Sequence, residues 1–422
     1  MADQTSSRML SLSATIHSAV SKMQNLYSRQ QLTPPSFDED APSELPKEAL
    51  ELRDVVLDAS SELYDLLLDP MTLLFQKGAH NNMVCLRAIS EFNIATLVPP
   101  GGEISFREIS THTGLDEDSI QRFLRHAVTM RIFREPRPGV LAHTQASKLL
   151  SEQPTKDWMA TATEDVWPTA VKVRSNPNLS DIVTKADHFT QMVDAMRRWP
   201  NSQEPNETGF TLASGTNLSI YEDFNLNPQK AMRFSNAMEA FASSPGHHIS
   251  YVLESFDWGS LGVAQVVDIG GAHGHVAIEL AKHFPNVSVI VQDTSESLEG
   301  ASVPDEVAGR VEFMPHDFFE PQCVKADVYY FRWVMHNWSD KYCILILRAL
   351  IPSLEPGAKI LIQDTCMPEP GSVALWREKD LRERTAAQWN ALLTKADERF
   401  VLGEVVNPKG SALAMIQAVW NG

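Results

Sequence analysis

The chain carries only 4 cysteines in 422 residues, and Cys85, Cys323, Cys343 and Cys366 include no pair at metal-ligand spacing. A cysteine-built metal site is therefore not expected. Cys85 and Cys343 fall in apolar helical patterns, which predicts buried, reduced thiols. Basic residues are also scarce. Lys and Arg number 36 against 54 Asp and Glu, for a formal net charge of -18. A nucleic-acid surface needs a basic face, so that class of partner is not expected. No apolar run reaches about 18 residues, the length a membrane span needs. The N-terminus has no basic-then-apolar leader pattern, and the cytoplasm is the expected compartment. What remains is ordinary for a globular protein: 43% hydrophobic, 21% charged, and long enough for two or three domains.

The most informative stretch is Val266-Val-Asp-Ile-Gly-Gly-Ala-His-Gly-His275, with an acid downstream at Asp293. It reads as a buried strand, a glycine-rich turn, a helix over 276–283 and a second strand over 287–291. Such a turn lets backbone approach a ligand, and an acid ending the second strand accepts ribose hydroxyls. A dinucleotide fingerprint wants glycine at the first, third and sixth positions. Counted from Gly270, these hold Gly270, Ala272 and His275, so that fingerprint fails. Asp-x-Gly-x-(Gly/Ala)-x-Gly resembles instead the first motif of S-adenosylmethionine methyltransferases.

The rest of the chain organises around that unit. Met9, Leu12, Ile16, Ala19, Val20, Met23 and Leu26 recur at helical spacing. This apolar stripe needs cover, and a partner subunit is the favoured one, with the same chain's core as the alternative. Residues 31–47 are proline-rich and acidic, as in a linker. Residues 48–150 are mostly helical, and 106–141 look like a winged helix-turn-helix: helices around Phe106–Ile109 and 118–131, a Thr113-Gly-Leu-Asp116 turn, then a hairpin over 132–141. The acidic balance argues against DNA on this element. Residues 151–250 are mostly helical, with Trp158, Trp167, Met232, Phe234, Met238 and Phe241 on apolar faces. Trp167, Met232, Met238 and Phe241 are candidates for a hydrophobic substrate pocket, because methionine and aromatic side chains suit irregular ligands. His247 and His248 have no third ligand at metal spacing; no metal is expected, and both should be solvated. Residues 251–422 form the α/β domain. Strands are predicted at 263–268, 287–292, 310–314, 326–331, 358–363, 398–405 and 412–420, alternating with helices in a doubly wound sheet.

Six segments together resemble fungal and plant small-molecule O-methyltransferases. They are Asp268-Ile-Gly-Gly-Ala-His-Gly-His275, Val291-Gln-Asp293, Met314-Pro-His-Asp-Phe-Phe319, Arg332-Trp-Val-Met-His-Asn-Trp-Ser-Asp340, Leu354-Glu-Pro-Gly357 and Asp364-Thr-Cys-Met-Pro368. The likeness spans residues 50 to 422. It implies a class I methyltransferase (Rossmann-like) α/β fold with a helical, winged-helix-type dimerisation domain, a homodimer, and S-adenosylmethionine (or S-adenosylhomocysteine) as the bound cofactor. On this resemblance Asp268, Gly270, Gly271 and Gly274 shape the methionine pocket. Asp293 holds the ribose, Asp317 and Phe318 contact the adenine, and Arg332 and Trp338 sit on the cofactor's far side. His336 matches the family's general base, and Asp364 and Glu383 match the two acids that orient it. Imidazole suits this place because it titrates near neutral pH and can take a proton from a phenol or enol.

One segment departs from the family. Between Trp376 and Trp389 the chain reads Arg-Glu-Lys-Asp-Leu-Arg-Glu-Arg-Thr-Ala-Ala-Gln. Roughly eight residues, about two helical turns, are missing from a segment that forms one wall of the methyl-acceptor pocket. Two chemistries follow. The rebuilt wall puts first a pericyclase that guides dehydration and Diels–Alder or Alder-ene closure of a polyketide–alkaloid intermediate, with His336 and Asn337 polarising a carbonyl. The retained histidine and acids point to the alternative, O-methylation of a phenolic or enolic hydroxyl.

Overall fold

The structure, a computed structural model, describes residues 2–42, 44–71, 73, 81–167, 191–242, 245–368 and 384–422. It divides into two compact units, one of residues 1–202 and 206–242, the other of 203–205 and 243–422.

In the first unit α1 (Ala2–Gln30) lies along α2 (Lys47–Leu67). Leu12 and Ala19 of the apolar stripe are buried, Ile16, Met23 and Leu26 half-buried. An Arg8–Glu62 ion pair ties the two helices. α2 of the same chain covers part of this stripe, because α2 is amphipathic and turns Ala49 and Ala59 inward. The stripe's edges stay open at Met9 and Val20. The stretch read as a linker is fastened rather than loose. Glu39 accepts the Gly101 N–H at 2.8 Å, Gln145 Nε2 donates to Ala41 O at 2.9 Å, and Arg131 stacks over Phe37.

The winged helix forms as expected. Strands β1 (Glu103–Ser105), β2 (Phe133–Arg137) and β3 (Val140–His143) make an antiparallel sheet in the order β1-β3-β2. Helices Phe106–Thr113 and Glu117–Thr129 pack on it. Ser105 and Glu108 form a capping box, and Asp116 accepts the Ser119 N–H. Phe106, Ile109, Ile120, Leu124, Phe133 and Leu141 fill the core.

The second unit holds a seven-stranded sheet of β4 (Ala264–Ile269), β5 (Val287–Asp293), β6 (Val311–Pro315), β7 (Val328–Arg332), β8 (Lys359–Asp364), β11 (Phe400–Val406) and β12 (Ala414–Trp420). Its order is β11-β12-β8-β7-β4-β5-β6. β4 to β8 run parallel, and β12 and β11 close one edge antiparallel. Two short strands, β9 (Cys366–Met367) and β10 (Arg384–Thr385), pair in parallel beside it. Alternate residues face opposite layers. Val266, Val328, Tyr330 and Leu361 pack towards helix His275–His283, while Val267, Tyr329, Phe331 and Ile362 pack towards helices Asp340–Leu350 and Ala386–Ala396. Burial on both faces is why these strands read as unbroken apolar runs. The winding reverses between β4 and β7, and a doubly wound sheet takes its ligand outside the strand ends at that point. No helix among the described residues is long and apolar enough to cross a membrane.

Candidate active site

The chain leaves β4 through a turn that only small residues permit. A Cβ on Gly271 would stand 2.7 Å from Asp268 Cγ and Oδ2 and 2.8 Å from Val291 Cγ1. Gly270 and Gly274 both have positive φ, and their Cβ atoms would meet Val334 and Phe313 below 3 Å. The turn is thereby pressed against β5, where Asp293 Oδ2 accepts the Ala272 N–H at 3.0 Å and Oδ1 the Thr294 N–H at 2.8 Å. Each carboxylate oxygen keeps a second lone pair for a diol. Asp268 is 2% exposed. Burial pushes its carboxyl up to about 7, against the pull of Arg332 and with a further push from Asp293. Folded chains therefore hold a proton that unfolded chains have released between about pH 4 and pH 7, so stability falls as pH rises through that window. Asp268→Asn is expected to flatten the dependence of Tm on pH there; parallel melting curves for the two proteins would contradict this.

Beyond β7 the backbone is strained. Trp333 has φ +54°, unusual for a bulky residue and worth about 1–3 kcal/mol. The chain then folds into a 3₁₀ turn, Met335–Asn337, carrying His336. Asp364 ends β8 with its side chain fully buried. Its Oδ2 accepts the His336 N–H at 3.0 Å, and its Oδ1 lies 3.9 Å from His336 Nδ1. The imidazole is 31% exposed. The expected base and one of its two expected acids are thus together. Glu383 lies outside the described residues, as do Trp376 and the rest of 369–383. Asn337 is exposed and its Nδ2 donates to Trp333 O at 2.9 Å.

Arg332 donates to Gln363 Oε1 at 3.2 Å and to His247 O at 2.7 Å, and stacks over Trp333. Phe318 and Trp338 meet edge to face in an aromatic cluster with Phe319 and Tyr342. Asp317 is exposed and its Oδ1 accepts the Phe319 N–H at 2.9 Å. Trp167, half-buried after the π-helical turn Thr161–Val166, belongs to the first unit. So do Met232, 64% exposed, and half-buried Met238, both on helix Pro228–Ala242. The side chain of Phe241 lies outside the described residues.

One expectation fails. His247 is buried, not solvated: its ring packs 4.9 Å from that of Trp333, and burial together with Arg332 lowers its pKa to about 4. His248 is exposed. Cys85 and Cys343 are buried thiols as expected, each pushed up to about 11 by burial. Sequence reasoning also missed the buried glutamines. Gln292 and Gln322 exchange amide hydrogen bonds at 3.0 and 2.8 Å, and Gln322 Oε1 also accepts the Cys323 and Val324 N–H groups. This pair pins the loop that carries Asp317 and Phe318 to the end of β5. Nothing in local periodicity marks two distant glutamines as partners.

Two family models match the chain: an O-methyltransferase domain over residues 189–397 and an O-methyltransferase dimerisation domain over 77–153. It is 37% identical to the O-methyltransferase PaMT of Phomopsis amygdali, across 99% of this chain and 98% of that protein. This chain belongs to the O-methyltransferase family. Among solved structures, OxaC in complex with S-adenosylhomocysteine and oxaline is similar at TM-score 0.71 and 22% identity, covering 97% of this chain and all of that one. A structure described as a pericyclic reaction enzyme is similar at TM-score 0.69 and 21% identity, over 97% of this chain and 100% of that one. At those identities the likeness is one of fold. S-adenosylmethionine is the cofactor of the family, and the residues fit it: a turn too tight for side chains, an acid at the end of β5, and both at the switch point of the sheet.

Proposed function

We propose that this O-methyltransferase transfers a methyl group to a phenolic or enolic hydroxyl of a small fungal-type secondary metabolite, as a homodimer, with His336 as general base. The observation that carries this reading is the seat of His336, whose turn hangs on the fully buried carboxylate of Asp364 beside the cofactor turn. S-adenosylmethionine supplies a sulfonium whose methyl carbon is open to in-line attack by oxygen. Asp293 binds a ribose diol, and Gly270, Gly271 and Gly274 let the backbone shape the methionine end. Arg332 stands close enough to Asp268 to oppose its protonation. His336 takes the hydroxyl proton as the oxygen becomes nucleophilic, which general-base catalysis rewards with about 10²–10⁴-fold in rate. Asp364 holds the backbone from which that imidazole projects. Asp317 and Phe318 are assigned to the adenine, and Arg332 and Trp338 to the cofactor's far side.

The order of the two chemistries is reversed from the reading of the sequence alone. The 37% relative spanning the whole chain is named a methyltransferase, whereas the pericyclic enzyme is similar at 21%. The shortened segment between Trp376 and Trp389 still favours ring closure as the second reading, with His336 and Asn337 polarising a carbonyl. Release of S-adenosylhomocysteine from purified enzyme, offered S-adenosylmethionine and a panel of phenols and enols, tests the first reading. Consumption of a substrate without that release favours the second.

A further inference from the structure

Arg384 opens β10, and its side chain is 12% exposed. Its guanidinium is spent almost wholly on the turn that carries His336. Nη1 donates to Met335 O at 3.2 Å, the carbonyl just before His336, and Nη2 donates to Trp338 O at 3.0 Å, just after Asn337. Nε and Nη2 also reach Asp340 Oδ1 at 3.1 and 3.0 Å, at the start of helix Asp340–Leu350. The group stacks over Trp389 on its other side. On the opposite flank of the turn, Asp364 holds the His336 N–H, and two residues further on Cys366 pairs with Arg384 in the β9–β10 ladder. Asp364, the turn, Arg384 and β9 therefore close a circuit around His336.

We infer that Arg384 is the positioning residue for His336, fixing the direction of the imidazole by gripping the carbonyls at both ends of its turn. This rests on His336 acting on the substrate. The planar fork explains why an arginine stands here. One rigid cation satisfies two carbonyls and a carboxylate at fixed angles, and a lysine ammonium cannot span them.

The test reads His336 directly. In enzyme labelled with ¹³C-histidine, the His336 resonance is identified by its loss in His336→Gln, and its titration is followed by NMR in wild type, Arg384→Lys and Arg384→Ala. Both Arg384 variants are expected to move the titration midpoint by more than about 0.3 pH unit or to split the resonance, with S-adenosylhomocysteine affinity within about threefold of wild type. Added ethylguanidinium is expected to restore the wild-type titration in Arg384→Ala. An unchanged His336 titration in folded Arg384→Lys overturns the inference. If Arg384→Ala does not fold, the Arg384→Lys result alone decides. Failure of the functional reading shows separately, as a His336→Gln enzyme that makes product at the wild-type rate.

Discussion

Replacing Gly271 with valine is expected to weaken binding of S-adenosylhomocysteine by at least about 100-fold, close to 2.7 kcal/mol, while the sheet still folds. The Cβ alone would lie 2.7 Å from the Asp268 carboxyl and 2.8 Å from Val291. Neither neighbour can yield. Asp268 and Val291 are both buried, on adjacent paired strands in register with one another. The turn must therefore lift away from β5. That breaks the bond from the Ala272 N–H to Asp293, so one substitution disturbs both the glycine turn and the acid proposed to hold the ribose. Titration calorimetry with S-adenosylhomocysteine, alongside circular dichroism, checks it. A folded variant that binds within a few fold of wild type would show that the glycine turn does not form the cofactor site.

His336→Ala is expected to lower kcat by about 10²–10⁴-fold and to leave S-adenosylhomocysteine affinity nearly unchanged. The separation follows from the geometry. The proposed cofactor turn is held by β4 and β5, whereas the His336 side chain projects from a turn supported by Asp364 and Arg384. Truncation at Cβ leaves the His336 N–H on Asp364 in place, so the turn persists and only the imidazole is lost. A parallel loss of cofactor affinity would mean that His336 supports the fold of the site rather than the chemistry.

The sheet was legible in the sequence because its central strands are buried on both faces and bounded by turns. All seven predicted strands begin and end within two residues of those observed. The glycine turn was legible because glycine is irreplaceable where backbone presses on Val291, Val334 and Phe313. Long-range polar pairing was not legible. His247 was misread because its burial depends on Trp333 and Arg332, far along the chain. Arg384 sat unremarked in an Arg-Glu-Arg-Thr stretch that resembles a solvated charge run; only folding brings it onto the carbonyls of Met335 and Trp338. The α1 stripe shows the same limit. Periodicity revealed that it must be covered, but not that α2 lies along it.

The central claim is methyl transfer, and the mass of the product tests it most directly. Purified enzyme is incubated with a hydroxylated polyketide-type acceptor and S-adenosylmethionine, in parallel with the trideuteriomethyl donor. The account predicts a product heavier than the acceptor by one methylene, gaining three further mass units with the labelled donor, and absent with His336→Ala. A product of unchanged mass, or one lighter by water, formed at the same rate with either donor and without S-adenosylhomocysteine, would contradict it and assign the fold to ring closure.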